Sequence, residues 1–200
     1  MKRFNIYPIE SVDELAHPEY SNSITLDSPA LSVMTDFKYH EPLVVGSSDR
    51  AADIEQAMLR SHVRMKLVVN DQDQFVGIVS LDDLNAQEML KRVTRGMSRD
   101  DLSAADFMRH KNTLRALDYH ELRQATVQDL VQTLKDNEHQ HYLVVDRKEH
   151  KIRGVISASD LARKLHLDIN INTRSSFVNV YSAACIAADM DVRFFIYPAF

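Results

Sequence analysis

The apolar and polar positions of this chain fall into a pattern that occurs twice. Gly77-Ile78-Val79-Ser80-Leu81-Asp82-Asp83-Leu84 returns as Gly154-Val155-Ile156-Ser157-Ala158-Ser159-Asp160-Leu161. Both copies read Gly, two β-branched residues, Ser, two variable residues, Asp, Leu. Upstream, Leu67-Val68-Val69 is echoed by Leu143-Val144-Val145, and Val33-Met34 by Phe107-Met108. The offsets drift by only a few residues around a period of roughly 75, which marks a duplicated unit with small loop insertions.

The pattern predicts the same order of elements in each unit. Residues 1–28, with Pro8, Pro18 and the polar run Tyr20-Ser21-Asn22-Ser23, read as an irregular N-terminal extension that Ile6, Tyr7 and Ile9 can anchor. The first unit spans 29–93. It opens with a short helical turn at 30–37, then a strand at Pro42-Leu43-Val44-Val45 ended by Gly46. A helix over 47–61 carries Ile54, Ala57 and Met58 at i, i+3, i+4. A hairpin joins 63–69 to 75–79 across a polar turn, and Ser80 opens a last helix to about Val93. A polar connector covers 94–103. The second unit, 104–166, repeats this with a helical turn at 104–110 and a strand at Leu122-Arg123-Gln124-Ala125. Thr126 then caps the clearest amphipathic helix, with Val127, Leu130, Val131 and Leu134 in one stripe. A hairpin at 142–145 and 152–156 follows, and Ser157 opens a helix to about His166. The C-terminal extension, 167–200, carries Phe177, Val178, Val180 and Tyr181, then Phe194, Phe195, Ile196 and Tyr197. These are too apolar to stay in solvent and are predicted to pack on the core or on a second subunit.

Composition adds limits. There are 24 Lys and Arg against 29 Asp and Glu, a net charge of −5, which gives no bulk reason to expect nucleic acid or an anionic membrane surface. A local basic pocket stays open. Cys185 is the one cysteine, so no intrachain disulfide forms. Its small apolar flank, Ala183-Ala184-Cys185-Ile186-Ala187-Ala188, predicts a packed thiol, and a reducing compartment fits. No apolar run approaches the roughly 18 residues of a membrane span. The basic start at Lys2 and Arg3 has no apolar core behind it and does not read as a signal peptide. The expectation is a cytoplasmic protein with neither a membrane nor a nucleic acid as partner.

The repeated Ser-x-x-Asp carries the candidate chemistry. A serine that starts a helix sits where backbone N–H groups lack partners, and such an end favours a phosphate. A carboxylate three residues on can accept hydrogen bonds from two adjacent ribose hydroxyls. Gly at the strand end lets backbone or ligand approach closely. The plainer reading is a capping box, in which Ser satisfies a backbone N–H and the acid faces the positive helix end. Other candidates are weaker. His139 and His141 form His-x-His on a strand with His150 downstream, but no acidic or thiol partner has ligand spacing, so no metal is expected. Asp71 and Asp73 lack the Gly and terminal Glu of a calcium loop and read as turn residues. Tyr39-His40-Glu41 and Tyr119-His120-Glu121 read as an echo just before each unit's first strand. No nucleophile–base pair, Gly-rich phosphate loop or metal motif makes a positive case for an enzyme, so no catalytic residue is assigned.

Met34 and Met108, the two Leu-Val-Val strands and the two Gly-x-x-Ser-x-x-Asp segments, over roughly 29–166, together resemble a tandem pair of CBS domains, the cystathionine β-synthase-type module. The resemblance implies a stand-alone, bacterial-type CBS protein of α/β (α+β) class. Two β-α-β-β-α units would pack as a pseudo-twofold pair, with an extension at each end. It also implies two clefts between the units that hold an adenosine-containing ligand: AMP, ADP, ATP or S-adenosylmethionine, with no cofactor required. By the family's pattern Ser80 and Ser157 contact phosphate, and Asp83 and Asp160 hold ribose. The basic position on the first hairpin strand is served by Arg64 in one unit and by Gln140 and His141 in the other. The chain departs from the pattern where Gly is usual (His62, Glu138) and where Pro is usual (Leu67, Leu143). Its thin basic support favours AMP or an uncharged adenosyl group over a triphosphate. The implied function is a sensor that signals ligand occupancy to a protein partner of unknown identity, as a homodimer. The alternative is a ligand-free dimerisation scaffold.

Overall fold

The computed structural model describes residues 24–94, 96, 98–167 and 176–196, with side chains of the last helix to residue 187. A 3-10 turn at Ala30–Val33 leads into β1 (Thr35–Asp36) and β2 (Val44–Gly46). Then come α1 (Ala51–Arg60), β3 (Met65–Val69), β4 (Phe75–Ser80) and α2 (Ala86–Val93). The second half has α3 (Ala104–Phe107), β5 (Arg109–His110), β6 (Ala116–Asp118) and α4 (Tyr119–Leu122). It continues with α5 (Val127–Leu134), β7 (His141–Asp146), β8 (Lys151–Ser157), α6 (Ala158–Lys164) and α7 (Phe177–Ile196). The chain is mixed α+β with two four-stranded sheets, ordered β2-β3-β4-β5 and β1-β8-β7-β6.

Each sheet borrows its edge strand from the other half. β1, early in the chain, pairs antiparallel with β8, Thr35 opposite Val155. β5 pairs with β4 in the same way, Arg109 opposite Ile78. The segments leading into them are exchanged too. Ala30 N–H donates to Ala125 C=O and Val127 N–H to Ser28 C=O; the twofold counterparts are Ala104 to Asp49 and Ala51 to Leu102. Ala30, Val33 and Met34 therefore sit in one core with α5 and α6, while Leu102, Ala104 and Phe107 sit in the other with α1. A third apolar cluster joins the halves between the sheets: Met65, Leu67 and Ile78 from one, Leu143 from the other.

The amphipathic stripe of α5 behaves as its spacing predicts. Val127, Leu130, Val131 and Leu134 are all buried. Thr126 accepts the Asp129 N–H at 3.1 Å, while Asp129 accepts the Thr126 N–H at 2.8 Å, a complete capping box.

Three expectations about the elements are corrected. The second unit's first strand is Ala116–Asp118, not Leu122-Arg123-Gln124-Ala125. Asp118 ends that strand by accepting the N–H groups of His120 and Glu121, which starts α4 and turns Leu122 into the core. Tyr119-His120-Glu121 thus follows its strand, whereas Tyr39-His40-Glu41 precedes β2, so the two are not register mates. Ser80 opens a turn rather than a helix. α2 begins at Ala86 because Asn85 Oδ1 accepts the Glu88 N–H at 3.0 Å and is the effective cap.

The C-terminal extension packs on the second core: Phe177 and Val180 are buried there, with Tyr181 against them. Cys185 is exposed, contrary to the packed thiol expected, because Ala184 takes the inward position of that turn. The expectations for Ile6, Tyr7 and Ile9, and for Phe194 to Tyr197, fall outside the residues whose side chains are described. Among the described residues, no helix is long and apolar enough to cross a membrane, and no cluster of His, Cys, Asp or Glu has metal-holding geometry.

Candidate functional site

The hairpin registers bring the repeated motif to the junction of the two sheets. Ser80 lies opposite Met65 across β3 and β4, and Ser157 lies opposite His141 across β7 and β8. Just beyond, Leu81 N–H donates to Arg64 C=O and Ala158 N–H to Gln140 C=O, so the two sites share one backbone plan. Each opens into a cleft, and their side chains differ.

The larger cleft has a volume of about 490 Å³. Ser157 and Asp160 stand on one wall and Arg64 on the other, with Phe37, Leu43 and Val63 supplying apolar surface. Ser157 Oγ shares a 2.8 Å hydrogen bond with Ser159 Oγ and accepts the Asp160 N–H at a long 3.4 Å. The Asp160 carboxylate does not fold back on Ser157; its Oδ1 meets Arg163 at 2.6 Å, and the side chain is 38% exposed. Asp160 is thus presented to solvent at the rim, with a cation that solvent screens.

The smaller cleft, of about 310 Å³, holds Ser80 and Asp83 and is lined by polar and charged residues. Here the capping reading wins. Asp83 Oδ2 accepts the Ser80 N–H at 2.9 Å and the Ser80 hydroxyl at 2.5 Å, and Arg109 Nε lies 3.6 Å from the same oxygen. Asp82 accepts Gln140 Nε2 at 2.6 Å and stands 3.8 Å from Arg64, which links the sheets across the pseudo-twofold axis.

All six residues expected at a site therefore come to these clefts: Arg64, Ser157 and Asp160 to the larger, Ser80 and Asp83 to the smaller, and His141 to both. Sequence reasoning missed Arg109 and its twofold mate Thr35, one of which borders each cleft. Both directly follow the repeated Met, which was the available signal.

His141 is the electrostatic oddity of the junction. Burial, reinforced by Arg109 and Arg64 and opposed by Asp82, pushes its imidazole down to about 4. It is neutral in the fold, while in the unfolded chain it takes a proton below about pH 6.5. Lowering the pH through that window therefore favours unfolding, and the loss ends near the folded value. Urea unfolding of the parent is expected to lose about 2 kcal/mol more between about pH 7.5 and about pH 5 than His141→Met does. Equal losses would mean that His141 titrates normally.

A model of the CBS domain matches residues 31–87 and 122–167, more than half of the chain. The chain belongs to the CBS-domain family. Among solved structures, this CBS pair is similar to an uncharacterized conserved protein from Pyrococcus horikoshii, with TM-score 0.52 and 18% identity, over 74% of this chain and 98% of the other. CBSX2 from Arabidopsis thaliana has TM-score 0.47 and 19% identity, covering 68% and 92%. CBSX2 in complex with AMP has TM-score 0.49 and 20% identity, covering 68% and 94%. At such identities the Pyrococcus likeness is one of fold. No curated relative matches the chain.

Proposed function

We propose that this CBS pair is a regulatory module that binds an adenosine-containing ligand in its larger cleft and signals occupancy to a partner. The observation that carries this is the contrast between the two copies of the motif. Asp83 is engaged by its own serine and by Arg109, whereas Asp160 is partly open to solvent, beside Arg163 and within electrostatic reach of Lys164. A ribose can therefore engage Asp160 without breaking a cap. The larger cleft also has what a nucleotide needs: Phe37, Leu43 and Val63 as apolar surface for a base, and Ser157 and Arg64, on facing walls, for a phosphate. Its volume lies within the range of small-molecule sites, roughly 300–1,000 Å³. The smaller cleft has no apolar side chain in its lining to receive a base, and Asp82, Asp83 and Glu138 oppose a phosphate there.

The signalling step follows from where the walls come from. Leu43, Val63 and Arg64 belong to the first sheet and its approaches, Ser157 and Asp160 to the second. A ligand that touches both favours the packing in which both contacts are made, and shifts the population toward it. At about 100 times its dissociation constant it adds about 2.7 kcal/mol to stability.

Calorimetric titration with AMP, ADP, ATP and S-adenosylmethionine tests the reading. Asp160→Ala is expected to weaken the bound ligand by at least about ten-fold, the loss of one good hydrogen-bonding carboxylate. Asp83→Ala should leave affinity nearly unchanged. Silence of folded, ligand-free protein toward the whole panel would leave the scaffold alternative standing. Loss of binding in Asp83→Ala alone would move the site to the other cleft.

A further inference from the structure

His141 forms part of the partition between the two clefts and borders both. It is the cross-strand partner of Ser157, and the register mate of His141 in the other half is Met65, which cannot ionise. Its Nδ1 is enclosed and makes no hydrogen bond, and Arg109 Nε has none either. An enclosed polar atom without a partner costs roughly 1–3 kcal/mol, so this geometry calls for a role.

The charges around the imidazole come from several elements. Arg64, just before β3, and Arg109, on β5, repel a proton on it; Asp82, in the turn after β4, attracts one. Asp82 is already shared with Gln140 and Arg64, and Asp83 is held by Ser80 and Arg109. On the approach to its own strand stand Glu138 and His139, which line the smaller cleft. Across the larger cleft, Asp160 is matched by Arg163. Two guanidiniums oppose a proton on His141 and one carboxylate, Asp82, favours it, so a further negative charge brought into the cleft would tip that balance toward the imidazolium.

We propose that His141 makes ligand binding proton-linked: neutral when the larger cleft is empty, it takes up a proton when a phosphate group arrives beside Ser157. This rests on the adenosine-ligand reading and narrows it to phosphate-bearing ligands. A phosphate carries about −1.5 to −2 charges at neutral pH and several acceptor oxygens. It offsets Arg64 and Arg109 and supplies negative charge near the imidazolium. By linkage, affinity for such a ligand rises as the pH falls, and a ligand without phosphate gains nothing.

The test is titration of the full chain and of His141→Met with AMP, ADP and ATP, and with adenosine as the uncharged control. Each is run near pH 7.5 and near pH 6, in two buffers of different ionisation heat. If the phosphate restores the imidazole to its ordinary value, the ratio of parent to variant affinity rises about four-fold over that interval. The parent also takes up protons on binding nucleotide that the variant does not. Comparing parent with variant cancels the ligand's own titration. Should His141→Met fail to fold, the NMR titration of the His141 Cε1–H in the parent decides, its midpoint rising with nucleotide bound. Nucleotide binding with identical pH dependence in parent and variant, or an unmoved midpoint, overturns the inference and leaves the adenosine-ligand reading intact. Binding of adenosine or S-adenosylmethionine alone does the same. No binding by any ligand overturns both.

Discussion

Phe177→Ala is expected to destabilise the protein by about 3–5 kcal/mol in urea unfolding, the usual cost of truncating a fully buried phenylalanine. Phe177 is 1% exposed and its ring centroid lies 5.6 Å from that of Tyr142 on β7. Its backbone N–H donates to His139 C=O and that of Val178 to Asn137 C=O, while Tyr142 OH donates to Asn137 Oδ1 at 2.6 Å. The start of α7 therefore clamps the approach to β7, the strand that carries His141 into the junction. Ile186, on the same helix but 63% exposed, is the control: Ile186→Ala should change stability by no more than about 0.5 kcal/mol. Equal, small effects of the two substitutions would show that the extension is not part of the second core.

That the described part of the extension packs was readable from Phe177, Val180 and Tyr181; where it packs was not. The same division runs through the molecule. Local periodicity exposed the hairpins, the stripe of α5 and the repeat itself, because those features are written in contiguous residues. The strand at Ala116–Asp118 was hidden because it is three residues long with Leu117 as its one large apolar member, while Leu122 nearby imitates a strand start. The exchange of β1 and β5 left no local trace, since the partner of each lies far away in sequence. Arg109 was missed for that reason: its place in the smaller cleft follows from pairing with β4, not from its neighbours. The six candidate residues that line the clefts were legible as residues, yet their inequality was not. Two identical Ser-x-x-Asp spacings end with one carboxylate folded onto its serine and the other presented at a rim. Close neighbours make part of that difference, Ser159 engaging Ser157 and Arg163 engaging Asp160, and the other half adds Arg109 beside Asp83.

The exchanged strands also explain the two motif glycines, and give the second large effect. A Cβ on Gly154 would run into the carbonyl oxygen of Thr35 and the side chain of Met34; one on Gly77 would run into the carbonyl of Arg109 and the sulfur of Met108. Both glycines therefore admit the crossing edge strand, not a ligand, and the Met that precedes each crossing strand packs over the gap. Gly154→Val should force β1 away from β8, straining the Phe37 N–H bond to Arg153 C=O and the 2.9 Å ion pair of Arg153 with Asp36. The expected cost is about 3 kcal/mol, the upper end of overpacking penalties, because backbone rather than a flexible side chain must yield. Gly77→Val inflicts the same insult on β5 and should cost about as much. Function separates the two. Thr35 and Phe37 line the larger cleft, whereas Arg109 lines the smaller. Nucleotide affinity of the folded fraction should therefore fall several-fold in Gly154→Val and stay near the parent value in Gly77→Val. Urea unfolding beside calorimetry reads both quantities. Equal losses of affinity would mean that the clefts share one edge-strand geometry, while a Gly154→Val protein that binds normally would remove β1 from the site.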